Sequence, residues 1–173
     1  ALSDLGKKEE AIERYLMALE HDPGSGGAYS NWGVSLRDLG KYKEAIEKHE
    51  KANSLRPELP EVHYNWGVTL HSQKEPEKAI EKYKQAIKRR VNYPKAWAAW
   101  GVALSDLGQL DQAVDKYEVA LSYDQRSYEA WYNWGVSLGK AGQHEGAVKK
   151  FETAVELEPS RFDAQYSLGV ELS

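Results

Sequence analysis

A tripeptide that returns at a fixed interval constrains this chain more than any other feature. Trp-Gly-Val stands at Trp32, Trp66, Trp100 and Trp134, always at the same step of thirty-four positions, and Leu168-Gly169-Val170 keeps that step. No insertion or deletion breaks the register. Self-similarity at a period of a few tens of residues is the mark of a repeat architecture.

Other positions share the interval. Ala11, Ala45, Ala79, Ala113 and Ala147 form one column, and Ala18, Ala52, Ala86, Ala120 and Ala154 a second. Leu2, Leu36, Leu70, Leu104, Leu138 and Leu172 form a third, and Ile12, Ile46, Ile80, Val114 and Val148 a fourth. Within each unit the apolar residues recur at steps of three and four, which is a helical stripe. The spacing predicts one helix over 28–39, ended by Gly40 in a left-handed conformation, and a second over 43–55, stopped by Pro57. Gly33 and Ala45 are too small to hold two helix axes apart, so that side of the hairpin lies close to another backbone. One hairpin cannot bury both of its faces. Stacked neighbours then share one continuous core in a quasi-one-dimensional rod.

Composition excludes several classes of function. The chain has 173 residues, 41% hydrophobic and 29% charged, which is a folded and not a disordered balance. It has no cysteine, hence no disulfide, thiolate metal site or cysteine nucleophile. That fits the cytosol first, and an exported protein without bridges as well. No apolar run is long enough to span a bilayer, and the net charge of −4 is not the basic footprint of a nucleic-acid binder. Residues 60–93 carry a local basic excess at Lys78, Lys82, Lys84, Lys88, Arg89 and Arg90, read as a solvated helix face of alternating charge.

These columns resemble the tetratricopeptide repeat, a 34-residue helix–turn–helix. In one unit the matching residues are Tyr29, Trp32, Gly33, Leu36, Ala45, His49, Ala52 and Pro57. The resemblance covers the whole chain as four units, 26–59, 60–93, 94–127 and 128–161, with half units at 1–25 and 162–173. It implies an all-α fold, a right-handed superhelical solenoid of antiparallel helix hairpins. Some positions depart from the family. Trp replaces Leu in the Trp-Gly-Val motif, read as core volume moved along the helix. His49 takes an aromatic core position held elsewhere by Tyr15, Tyr83, Tyr117 and Phe151, and is expected to be partly buried and paired locally and not a metal ligand. Lys74 replaces the turn glycine. Val91 and Gln125 replace the stopping proline, which predicts longer or differently angled junctions. Pro23-Gly24-Ser25-Gly26-Gly27 reads as a flexible junction and hinge.

No catalytic or cofactor constellation is legible. His21, His49, His63, His71 and His144 include no pair four apart, and no phosphate-binding glycine pattern occurs. No enzyme activity, metal or cofactor is therefore expected.

In the family, the first helix of each unit lines an inner groove. Carried over by position, the groove residues are an Asn row, Asn31, Asn65 and Asn133, interrupted by Ala99 and Ser167; a Tyr row, Tyr64, Tyr132 and Tyr166; and a Val row, Val34, Val68, Val102 and Val136. Side-chain amides can pair with an extended peptide backbone, an arrangement similar to the docking groove of the O-linked N-acetylglucosamine transferase family. The Val and Tyr rows suit an amphipathic helix or apolar strand. The carboxylate grip of chaperone-binding members is matched only at Asn65 and Lys95, with Ser30, Val34 and Ala99 at the other sites, so a chaperone-tail adaptor is not expected.

The chain begins without Met, and residues 1–6 align with 103–108, inside a first helix, as do the last residues. Two explanations are a fragment of a longer solenoid and copies stacked head to tail into a filament. Both end segments are acidic, −3 over residues 1–25 and −2 over 162–173, which opposes the second. The leading expectation is a protein-interaction scaffold holding a peptide or helix in the groove. The alternatives are a structural protein whose partner is a further copy of itself, and the substrate-docking region of a larger enzyme such as a glycosyltransferase.

Overall fold

The computed structural model describes residues 2–172, with side chains from 6 to 172. Ten helices occupy the described residues, joined by short turns and without a strand. First helices are α2 (Gly26–Asp38), α4 (Pro60–Ser72), α6 (Pro94–Asp106), α8 (Tyr128–Lys140) and α10 (Phe162–Glu171). Second helices are α3 (Tyr42–Leu55), α5 (Pro76–Arg89), α7 (Leu110–Tyr123) and α9 (His144–Leu157), and α1 (Leu2–His21) precedes them. The starts of successive first helices are separated by the same step as the tryptophan motif, and so are those of successive second helices from α3 onward.

Local chemistry sets these boundaries. Ser25 and Ser127 cap α2 and α8, their hydroxyls accepting from the N–H groups of Ala28 and Ala130. Pro60, Pro76 and Pro94 open α4, α5 and α6 where a missing N–H costs nothing. The first helices end in one recurring turn. Gly40, Gly108 and Gly142 take φ of 75°, 74° and 74°. The next N–H folds back on the helix, as in Lys41 N to Leu36 O at 2.9 Å and Gln143 N to Leu138 O at 2.9 Å. Lys74 makes the same turn at φ 67°, a conformation that a side chain opposes.

The chain forms two compact units, one reaching to Val91 and one beginning at Asn92. In the first, α2 pairs with α3 and α4 with α5, α1 packs on α2, and α3 packs on α4. In the second, α6 pairs with α7 and α8 with α9, and α10 packs mainly on α9. Within each complete hairpin a glycine of the first helix lies under a ring of the second. A Cβ on Gly67 would stand 2.5 Å from Tyr83 Cε1, and one on Gly135 would stand 2.7 Å from Phe151 Cε1. Ala45, Ala79, Ala113 and Ala147 are fully buried beside these rings.

Three expectations need correction. The junction at Pro23–Gly27 is no hinge: Ser25 is a helix cap, Gly26 and Gly27 are helical, and Gly26 is buried against Arg56 and the Ala52 carbonyl. Replacing proline by Val91 or Gln125 lengthens nothing, since α3, α5, α7 and α9 end at Leu55, Arg89, Tyr123 and Leu157 in equal steps. Around Gln125 a side chain supplies the anchor: Trp131 Nε1 donates to its carbonyl at 3.0 Å, as Gln165 Nε2 does to Pro159 O at 2.8 Å. Finally, Gly6 aligns with the turn residue Gly108, yet α1 runs straight through it. Leu2 of the leucine column lies outside the described side chains.

Candidate partner-binding faces

In the first unit, α2 and α4 present the expected residues on adjacent helices. Asn31 is exposed, and with half-buried Val34 it lines a cleft of about 490 Å³ between α1 and α2, together with Lys7, Lys8, Ala11, Tyr15 and Ser35. Asn65 is half-buried, and its Nδ2 donates to Ser30 Oγ at 3.1 Å. One Asn of the proposed ladder is thus engaged with the neighbouring first helix. Half-buried Tyr64 leans on the buried Tyr83, ring centroids 6.2 Å apart. Val68 is half-buried beside it.

In the second unit, Val102, Asn133 and Val136 are half-buried. Tyr132 is held between Tyr128, stacked at 5.8 Å, and Phe151, tilted at 5.7 Å. Tyr166 on α10 is 77% exposed. The Tyr row therefore splits. Tyr64 and Tyr132 are clamped by their own hairpins, and Tyr166 is not. Each unit gathers its own share of the Asn, Tyr and Val rows.

His49 lies in the core and is buried more deeply than expected, with no exposed surface. Its Nε2 is 3.0 Å from Thr69 Oγ1, which donates its own proton to Asn65 O at 3.0 Å. The hydroxyl proton is committed, so His49 Nε2–H donates and Nδ1 is left as a buried acceptor without a partner. Burial, followed by the nearby Arg37 charge, lowers its pKa to about 3. The second unit repeats this link with a phenol: Tyr117 Oη is 2.9 Å from Ser137 Oγ, which donates to Asn133 O. In both units a core side chain is tied to the carbonyl of a groove asparagine.

Each hairpin also carries a lysine over its motif tryptophan, a column the sequence reading missed. Lys48 lies over Trp32 at 4.2 Å, Lys82 over Trp66 at 3.3 Å, Lys116 over Trp100 at 4.9 Å and Lys150 over Trp134 at 3.6 Å, all to the ring centroid. Desolvation lowers the pKa of Lys82 and of Lys150. The signal was present: a cation sixteen residues after each motif tryptophan. The tryptophans also stack in parallel on the ring three positions earlier, at 6.3 Å for Tyr29 and Trp32, 5.5 Å for Trp97 and Trp100, and 5.8 Å for Trp131 and Trp134.

The basic stretch is largely paired locally. Lys78 meets Glu75, Lys84 meets Glu81, and Arg90 meets Glu61. Arg89 donates to the Pro57 and Gln85 carbonyls. Among the described residues no three His, Asp or Glu side chains are grouped to hold a metal, and no helix is long and apolar enough to cross a membrane.

Comparison with known proteins agrees with this geometry. A family model described as "TPR repeat" matches residues 33–74, and one described as "Tetratricopeptide repeat" matches 60–92 and 128–161. Together they cover more than half of the chain. No curated protein matches it in sequence. The crystal structure of MamA is similar at 27% identity and a TM-score of 0.72, over 89% of this chain and 90% of that one. YrrB, described as a TPR protein with an unusual peptide-binding site, is 27% identical with a TM-score of 0.69, over 96% and 86%. TTC0263, a thermophilic TPR protein of Thermus thermophilus, shares the fold at 19% identity and a TM-score of 0.85, over 99% and 93%. The repeated hairpins, their glycine-under-ring packing and these matches lead to one conclusion: the chain belongs to the tetratricopeptide repeat family.

Proposed function

We propose that this protein is an interaction scaffold that holds a peptide or a helix of another protein against its first helices. The observation that carries the reading is the state of the Val and Asn rows. Val68 and Val136 are half-buried, on helices fixed by rings and hydrogen bonds beneath them. Such a face is apolar at its centre, carries amide groups at its side, and needs little reordering on binding. The similar YrrB is described as having a peptide-binding site, which supports the same use here.

The test is a selection from a displayed random peptide library, followed by fluorescence anisotropy of the best synthetic peptide. Val68→Lys and Val136→Lys place a charge on the face of each unit. At least one should weaken the peptide tenfold or more with unchanged helical circular dichroism. Affinity untouched by both substitutions places the peptide elsewhere and overturns the groove reading.

A further inference from the structure

The two compact units hold the same groove asparagine in different states. In the first, Asn65 on α4 gives its Nδ2 to Ser30 Oγ on α2, and Ser30 is buried. In the second, α6 and α8 are the equivalent helices and Asn133 is the equivalent residue. The same separation of 35 positions leads back from Asn133 to Ala98, a buried methyl with nothing to accept a hydrogen bond. Among the described residues the Asn133 amide has no hydrogen-bond partner, although the side chain is half-buried. Its backbone is fixed, since its carbonyl accepts from Ser137 Oγ. A half-buried amide with an unmet donor and acceptor gains more from a partner than a hydrated one does. Asn31 is exposed, so water satisfies it.

We propose that Asn133, and not Asn65, anchors the partner, by pairing with one peptide bond of an extended acidic and apolar segment laid on α6 and α8. This deepens the groove reading and rests on it. A peptide bond offers an N–H and a C=O, which match the two ends of the free amide. On α6 the place of the asparagine is taken by Ala99, which presents only a methyl, and Val102 and Val136 are half-buried. This patch takes a large apolar side chain of the partner. Charge sets the second preference. Lys95 stands one turn before Ala99 on the same face of α6, is exposed, and has no ion-pair partner among the described residues. The remaining charged residues of α6 and α8 are paired, Glu129 with Arg161 at 3.4 Å and Asp106 with Lys140 at 2.8 Å. A carboxylate of the partner meets Lys95.

The experiment presents the whole chain to an array of acetylated and amidated octapeptides with Glu-Leu-Phe, Lys-Leu-Phe or Ser-Asn-Ser cores. The best binder is then titrated by fluorescence anisotropy. A Glu-Leu-Phe peptide should bind best. Asn133→Ala should weaken it about fivefold with unchanged circular dichroism, and Asn65→Ala should leave it unchanged. Ala98→Ser supplies the acceptor that Ser30 supplies in the first unit, so it should draw Asn133 away and weaken the peptide by a similar factor. Lys95→Glu should reverse the preference between the Glu and Lys cores. Equal losses from Asn65→Ala and Asn133→Ala overturn the proposal. So does a wild-type preference for the Lys core, or wild-type affinity in Asn133→Ala or Ala98→Ser. If Val136→Lys abolishes binding and Asn133→Ala does not, this inference falls and the groove reading stands. Binding untouched by both Val68→Lys and Val136→Lys, or an array without a binder, removes both.

Discussion

His49 Nε2 sits 3.0 Å from the hydroxyl of Thr69, with no solvent on either side of the ring. The imidazole is a proton donor here and is held neutral. With a folded pKa of about 3 and an ordinary unfolded value, the unfolded chain binds the extra proton first as pH falls. This contribution is therefore flat above the unfolded value. Stability falls between there and about pH 3 by up to roughly 1.4 kcal/mol per pH unit. Denaturant melts at pH 7 and pH 5 should show the loss. His49→Phe, which copies Phe151, should shrink the difference, and His63, whose pKa burial also lowers, should account for part of what remains.

The glycine column should respond with opposite signs along the chain. Gly67→Ala drives a methyl into the ring of Tyr83 and the Ala79 carbonyl and should cost about 1–3 kcal/mol. Gly169→Ala meets open space in α10 and should stabilise by about 0.5–1 kcal/mol through helix propensity alone. Thermal melts of the two variants check this directly, and two shifts of the same sign would contradict the packing described.

Lys74 holds a turn that glycine holds in three other places. Lys74→Gly should relieve the left-handed strain and stabilise by about 1 kcal/mol, less a share lost to unfolded-chain entropy, as read from denaturant melts. The side chain is exposed, so no packing loss competes.

The lysine over each tryptophan should register as a coupling. Lys82 is centred 3.3 Å above Trp66 and is partly desolvated, so a double-mutant cycle of Lys82→Met and Trp66→Leu should give about 0.5–2 kcal/mol. The more distant Lys116 over Trp100, at 4.9 Å, should couple more weakly.

Much of the fold was legible because each column repeats one demand. A glycine once per repeat, opposite a ring sixteen positions on, can be read without coordinates. His49 was placed correctly because its column is otherwise aromatic. What escaped the reading depends on neighbours far apart in sequence. The bond from Asn65 to Ser30 joins two first helices, and neither residue type announces it. The lysine column was passed over because a periodic surface charge is usually solvent-facing, whereas here the cation rests on indole. At Gly6 the sequence offered the turn residue, yet a single glycine costs a helix only about 1 kcal/mol. The helix runs on through it.

The equal step between helix starts survives the loss of proline at Val91 and Gln125. Turn chemistry at a junction is thus interchangeable, while the count of residues between successive junctions is not. Chain length in such a protein behaves like a quantised variable. Removing or duplicating one whole period returns every position to a column of its own kind. Removing one residue fewer turns buried alanines toward water and lysines toward the core. Growth and shortening by whole hairpins are accordingly the changes this sequence can absorb.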